Sequence, residues 1–470
     1  MKAGGRRRRG NCRRSKLAEP YWLSAQFRFF FIKMAKLIRV LKTLRNHWKK
    51  TTFATFAVSY GVHYVKDRYE TFQLMRAYCE EAAKFGDLPL PIGVKPRHIT
   101  IILNPAANRR KAVDLFDKFC APIFHLAGIS VRIVKTEYVG QAKGLMEVMN
   151  DTQAVVLAGG DGTVSEAVTG MLRREDADEV AGMLPIGVLP LGRTNSVAKN
   201  LFSKSESENS KEGLMKASIA VVKEVLKPLD VMKINVMEDE ENESGKPVFS
   251  AGRIDWGAFH DAHARRDKYW VWGALRAYAS YVFSSYKDLS WECTGEIKYV
   301  LPCSGCNKCK GMARGTVSEP KETKGKDSRW WHSFIPRKPK LRVEEFPQID
   351  YSKIENPECG TWLTKTVSTV DFSVITRNIC EECEDKTPHL KVIIGPKSVG
   401  MFEFISEGWK RAGDRGSPPS ETFCASEIKL KPKEQNKESE QWIYIDKENF
   451  DVRPIHITLI PNKVKMFCAL

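Results

Sequence analysis

The stretch from Val155 to Met171, VVLAGGDGTVSEAVTGM, leaves the chain few ways to fold around it. An apolar run from Ala154 to Ala158 suits a buried strand, and Gly159 and Gly160 end it. Asp161, Gly162 and Thr163 make a tight turn, after which Val164, Ala167, Val168 and Met171 recur at helical spacing. Strand, glycine turn and helix start gather free backbone N–H groups and the positive helix end at one point, which suits a phosphate. Glycine lets the backbone approach the phosphates, because no side chain stands between them. Asp161 adds a carboxylate to this anion site, which makes sense where a metal ion or a proton is handled beside a nucleotide.

Two better-known phosphate motifs fit less well. Gly160-x-Gly162 continues to Ser165 where a dinucleotide fingerprint requires a third glycine. Gly187 to Thr194 (GVLPLGRT) has Arg193 in the position of the P-loop lysine and follows Pro185 closely. An ordinary strand-to-helix turn is the plain structural alternative.

Strands and helices alternate around this unit: strand 99–103, helix 111–124, strand 131–136, helix 141–149, the central stretch 154–172, strand 186–189 and helix 194–202. The alternation predicts an α/β fold, with a doubly wound, Rossmann-like nucleotide-binding domain over residues 97–227. Ligands in such sheets bind beyond the carboxyl ends of the strands, and Asn104, Thr136, Asp161 and Gly192 all follow such ends. Strand-like runs at 248–251, 366–375, 390–394, 443–445 and 456–459 predict an antiparallel β-sandwich domain over residues 228–470. Residues 203–213 read as a mobile polar loop, and residues 303–348, rich in Lys, Arg, Gly, Pro and Ser, as a disordered insertion. Trp330, Trp331 and Phe334 make that insertion either a membrane-touching element or a solvated basic linker.

The net charge of +18 is unevenly placed: residues 1–50 hold sixteen Lys and Arg against one acid, Glu19, so the rest carries only +3. A nucleic-acid-binding body would need a basic surface of its own, and no nucleic-acid partner is expected. Leu37, Val40, Leu41, Leu44 and Trp48 recur at helical spacing among basic residues, the composition of a mitochondrial targeting sequence or a membrane-surface arm. Met34 is an alternative start, and no secretory signal peptide is evident. Residues 51–66 read as a short hydrophobic membrane anchor, although the uncharged core from Phe53 to Val65 falls short of the roughly 20 residues of a spanning helix. Hydropathy alone places it in the interface.

Of the twelve cysteines, Cys303-x-x-Cys306-x-x-Cys309 and Cys380-x-x-Cys383 have metal-like spacing. A zinc site built from these two groups is one reading; free surface thiols are the favoured one, because no histidine stands at the usual spacing.

GGDGT, followed by Glu166 and by PLGRTNSVA (Pro190 to Ala198), resembles the diacylglycerol kinase and sphingosine kinase superfamily of lipid kinases. The resemblance runs from about Ile99 to the C-terminus. LKTLRNHWKKTT (Leu41 to Thr52) and LNPAANRRKA (Leu103 to Ala112) are similar to the mitochondrial acylglycerol kinases within it. It implies ATP and Mg²⁺ as cofactors, no Walker-type lysine, and monoacylglycerol and diacylglycerol as acceptors bound by the second domain. It also implies the mitochondrial inner membrane, a catalytic body facing the intermembrane space, and partnership with the carrier translocase. The rivals are a kinase for sphingosine, ceramide or a soluble acceptor such as NAD, and a non-enzymatic membrane scaffold.

The resemblance also distributes roles. Asn104 would contact the nucleotide, Thr136 would lie near the adenosine, and Gly159, Gly160, Asp161, Gly162 and Thr163 would hold the phosphates with Gly192 and Asn195. Glu166 would steady the turn or cap its helix. Asp446-Lys447-Glu448 stands where the family has Asp-Gly-Glu, making Asp446 a candidate Mg²⁺ ligand and Glu448 a candidate general base. Asp161 competes for the role of base and is favoured here; exposed charges beside a strand are the plain alternative for Asp446 and Glu448. Asp261, in WGAFHDA before KYWVWG, takes the position that reads the lipid head group. The aromatic run Trp270 to Tyr286 suits a helix that covers an acyl chain, touches the bilayer or is simply buried.

Overall fold

The computed structural model describes residues 42, 46–89, 93, 95–202, 210–238, 242–286, 293–309, 353–379, 387–413, 416–433 and 441–469. Most of the basic arm with Met34, most of the 203–213 loop, Trp330, Trp331, Phe334, Cys380 and Cys383 lie outside the described residues. The chain divides into two units, Met1–Gln73 and Leu74–Leu470. A 39-residue helix, Trp48–Gly86, contains the uncharged segment, with Phe53, Phe56 and Val62 exposed. Among the described residues no helix is long and apolar enough to cross a membrane.

In the second unit β1 (His98–Leu103), β2 (Ser130–Lys135), β3 (Ala154–Gly159) and β4 (Ile186–Pro190) form a parallel sheet in the order β2-β1-β3-β4. Strand β3 is buried throughout, as its unbroken apolar run requires of a strand covered on both faces. The expected helix 111–124 is two, Ala112–Phe119 and Ala121–Leu126, with the break at Cys120 and a proline in the first turn of the second.

The second half is a sandwich. Strands β5 (Leu226–Met237), β6 (Glu243–Ser250), β8 (Cys293–Val300), β9 (Trp362–Thr369), β13 (Glu427–Pro432) and β16 (Ile455–Phe467) extend the first sheet. Strands β7 (Arg253–Gly257), β10 (Asp371–Thr376), β11 (Leu390–Ile394), β12 (Glu421–Ala425), β14 (Trp442–Ile445) and β15 (Glu448–Asp451) make an antiparallel sheet ordered β12-β11-β10-β7-β14-β15. Met232, Ile297, Ile428 and Ile457 of the first sheet pack with Trp256, Phe372, Val392 and Ile443 of the second in one core. Strand β16 serves both halves: Met466 is in parallel register with Ile186 of β4, and Val464, Met466 and Phe467 are buried in the core around the parallel sheet.

One expected strand, 366–375, is in fact two. The chain leaves the first sheet after Thr369 and enters the second at Asp371, while Val370 bonds outside both ladders, its N–H to Pro396 and its C=O to Ala258. On β16, His456 lies between two carboxylates, with Nε2 2.5 Å from Glu427 and Nδ1 2.7 Å from Glu243. The Glu427 hydrogen bond, helped by Glu243, raises its pKa despite burial. The stability this confers is complete below the unfolded pKa of ~6.5 and is lost as pH rises through the folded value. Thermal unfolding of the wild type and His456→Gln is therefore expected to differ most in mild acid and to converge with rising pH.

Candidate active site

Three close approaches shape the turn after β3. A Cβ on Gly192 would lie 2.1 Å from Gly160 Cα, and one on Gly160 would lie 2.9 Å from the carbonyl oxygen of Thr194. One on Gly159 would meet Thr163 Oγ1 at 2.6 Å. Gly159 C=O accepts from Gly192 N–H at 2.9 Å, and Asp161 N–H donates to Thr194 C=O at 3.1 Å. Asn195 closes the second loop on itself: its Oδ1 accepts from Gly192 N–H and its Nδ2 donates to Gly192 C=O, both at 3.0 Å. The helix Asp161–Leu172 thus starts at the bottom of a cradle where only glycine fits at these crossings.

Asp161 is buried and already engaged: its carboxylate accepts from Ser196 N–H at 3.0 Å and Val197 N–H at 3.3 Å, capping the helix Ser196–Phe202. Glu166 does not cap its own helix; its Oε1 accepts from Gly140 N–H at 3.0 Å and fixes the loop that follows Thr136. Asn104 folds its own loop, accepting from Ala106 N–H at 3.0 Å.

A cavity of about 810 Å³ opens above the turn, lined by Asn104, Thr136, Gly160, Asp161, Gly162, Thr163, Glu166, Gly192, Asp446 and Glu448. Gly159 and Asn195 do not line it and act from behind. Asp446 and Glu448 arrive on the β14–β15 hairpin, and Glu448 Oε1 lies 2.8 Å from where a Gly162 Cβ would be. Asp446 is buried rather than an exposed charge beside a strand, and accepts from Arg253 N–H at 2.9 Å. Burial above all, then the Asp161 charge, pushes Asp446 up to about 7. Burial, Glu166 and Asp446 push Glu448 up to about 7. Carboxylates that repel one another at the mouth of a phosphate cradle are hard oxygen donors, and this donor set fits Mg²⁺.

The hairpin turn shows the backbone that Lys447 adopts in the position where a glycine is expected. Asp446 and Lys447 both have left-handed backbone, with φ 48° and 73°, as a two-residue turn of this twist demands. Asp tolerates this region, whereas Lys447 is strained there. Its ammonium is held by Asp255 at 2.7 Å. Lys447 is a functional candidate that sequence reasoning missed; the signal was a lysine in a glycine position.

Lys447 and Thr194 also line a second cavity of about 760 Å³, walled by Arg253, His260, His263, Asp371, Ser373 and Arg411 among others. Asp255 accepts from Arg253 Nε at 2.8 Å and Ser373 Oγ at 2.8 Å, and Asp371 from His260 Nε2 at 2.8 Å and Arg411 Nη2 at 2.7 Å. Burial opposes ionisation of Asp255, but Arg253, His260 and Lys447 hold it well below the usual range. Burial, with Arg266 and Lys447 nearby, lowers His263 to about 3, so it is neutral. Arg193, in the P-loop lysine position, pairs with Asp267.

Asp261 is not at this wall. It is 2% exposed, shares a short helix with His260 and His263, and accepts from Tyr444 Oη at 2.6 Å. The structure thus places the expected head-group residue behind the chamber wall, with one carboxylate oxygen on Tyr444.

A third cavity, about 900 Å³, shares Ser406 and Lys410 with the second and is lined by Tyr278, Val282, Phe402, Ile405 and Trp409. The run 270–286 beside it is not one helix. A 3₁₀ helix, Arg265–Leu275, breaks at Gly273 before the α-helix Arg276–Ser284. Trp270 and Trp272 are 74% and 52% exposed, which removes the plain buried-helix reading for that half.

Residues 98–234 match the diacylglycerol kinase catalytic domain and residues 252–470 the acylglycerol kinase C-terminal region. The chain is 36% identical over 432 residues to acylglycerol kinase, mitochondrial, of Mus musculus, covering 91% of this chain and 96% of that protein. Identity to the Homo sapiens protein of that name is 35% over 429 residues, with the same shares covered. Sphingosine kinase 1 of Homo sapiens is 29% identical over 192 residues, 40% of this chain and 48% of that one. A solved diacylglycerol kinase structure from Bacillus anthracis covers 80% of this chain and 98% of its own at 14% identity and TM-score 0.43. Fold, cradle and matched catalytic domain define a lipid kinase of the diacylglycerol kinase class. The chain belongs to the acylglycerol kinase family.

Proposed function

We propose that the chain transfers the γ-phosphoryl group of ATP to the free hydroxyl of monoacylglycerol and diacylglycerol, giving lysophosphatidic and phosphatidic acid. The observation that carries this reading is the run of three cavities with shared walls: an acid-lined phosphate cradle, a polar chamber and an apolar groove. That sequence of environments fits a nucleotide, a glycerol head and an acyl chain in order.

In this reading the phosphates rest on the N-terminus of helix Asp161–Leu172, and Asp161 holds the two loops of the cradle together. Glu448 takes the proton of the acceptor hydroxyl as its oxygen bonds to the γ-phosphorus and the bond to ADP breaks. Lys447 lines both cavities, and its ammonium, anchored on Asp255, would add positive charge beside the place where negative charge develops. Asp446 would hold Mg²⁺, which supplies charge neutralisation on the phosphates.

Transfer of labelled phosphate should occur to mono- and diacylglycerol and not to sphingosine, ceramide or NAD; the reverse preference would sink the reading. Phe402→Ser and Trp409→Ser are each expected to raise KM for long-chain acylglycerol about 10-fold or more, the loss of one exposed apolar side chain that the acyl chain would cover. Turnover of a short-chain soluble acceptor should be unchanged.

The exposed Trp270, Val271 and Trp272 and the apolar residues 53–65 support attachment to a membrane. The inner mitochondrial membrane, an intermembrane-space orientation and partnership with the carrier translocase rest on the family alone. Carrier import in cells holding only a Glu448→Gln chain tests the partnership, and failed import despite normal protein levels would remove a kinase-independent role.

A further inference from the structure

Outside the cleft, the largest unexplained cluster of reactive groups is sulfur. Cys303, Cys306 and Cys309 follow β8, and Cys359 precedes β9; their four Sγ atoms all lie within 4.8 Å of one another. The fourth thiol is not from the Cys380 pair, which lies outside the described residues.

We propose that these four cysteines bind a structural zinc ion. A tetrahedral site with Zn–S bonds of about 2.3 Å has sulfur–sulfur edges of ~3.8 Å. Cys306 Sγ and Cys309 Sγ are 3.6 Å apart, close to that edge and far beyond the ~2.05 Å of a disulfide. The surroundings are those of thiolate ligands. Cys306 N–H donates to Cys309 Sγ at 3.3 Å and Asn356 Nδ2 donates to Cys303 Sγ at 3.4 Å, both of which steady charge on sulfur. Asn307 N–H to Ile354 C=O at 2.9 Å and Lys308 Nζ to Pro357 C=O at 3.2 Å fasten the two ligand loops together.

The position gives the ion a task. Strands β8 and β9 are antiparallel neighbours, with Val300 opposite Trp362, but no tight turn joins them. The ion stands where the turn would be and clasps the two ends of the hairpin at the base of the intervening segment. The site is far in sequence from the phosphate cradle and shares no residue with its cavity, so it is structural rather than catalytic.

Full-length protein made in zinc-supplemented medium and gel-filtered in metal-free buffer should retain one zinc per chain by mass spectrometry. Cys306→Ser and Cys359→Ser should fall to background, while Cys424→Ser, outside the cluster, should keep its zinc. Where a cluster variant fails to fold, the wild type alone decides: cobalt exchanged into it should give the intense visible and thiolate charge-transfer bands of a tetrahedral all-sulfur site. A wild type without zinc, one that holds iron, peptide maps with disulfides among the four cysteines, or cluster variants that keep their zinc would each overturn the assignment.

Discussion

Replacing Glu448 by glutamine is expected to lower kcat by about 10²- to 10⁴-fold while the affinity for MgATP changes only a few-fold. Glutamine keeps the shape that fills the space beside Gly162 but cannot accept the hydroxyl proton. Asp161→Asn should divide its effect differently. The Asp161 carboxylate accepts from Ser196 and Val197 N–H on its two oxygens, and asparagine can accept from only one, so the substitution loosens the cradle, costs about 1 kcal/mol for the lost bond, and raises KM for ATP. Parallel kinetics on the two variants separate base from scaffold. A Glu448→Gln enzyme with wild-type kcat would return the role of base to Asp161.

Gly192→Ala is expected to abolish nucleotide binding at ordinary concentrations. The added methyl would lie 2.1 Å from Gly160 Cα and 2.6 Å from Gly160 N, and both are backbone, so no rotamer change relieves the overlap. The two loops must part, and a displacement near 1 Å at a reacting centre costs on the order of 10²-fold. Titration calorimetry with MgATP measures the loss directly. Gly182→Ala is the matched control: nothing lies within 4 Å of its Cβ, and alanine favours a helix. Near-normal ATP binding in Gly192→Ala would show that phosphates do not rest on this turn.

The parts of the fold visible in the sequence are those fixed locally. Gly159, Gly160 and Gly162 announce the turn because clustered glycines end an apolar run, and the alternation of β1 to β4 with helices announces the parallel sheet. What was hidden depends on partners distant in the chain. Residues 366–375 mix β-branched, apolar and small polar residues without a glycine or proline, so nothing local marks Val370 as the place where the strand changes sheets. Glu448 and Gly162 meet only because β14 and β15 fold back over the cradle. Asp261 meets Tyr444 only once β14 is placed beside the short helix that carries it. Cys359 stands 50 residues beyond Cys309, a spacing no short metal motif would include.

The last strand of the sandwich has a consequence for how the molecule is made. Domains generally fold in order of synthesis, yet β4, paired with β3 on one side, finds its other neighbour only when residues 464–467 emerge. Until then the ATP-binding half carries an open flank, the kind of surface on which nascent chains stick to one another. A premature stop anywhere upstream of Ile455 would therefore disable the parallel-sheet half as well as the sandwich, although every residue of the GGDGT turn had been translated.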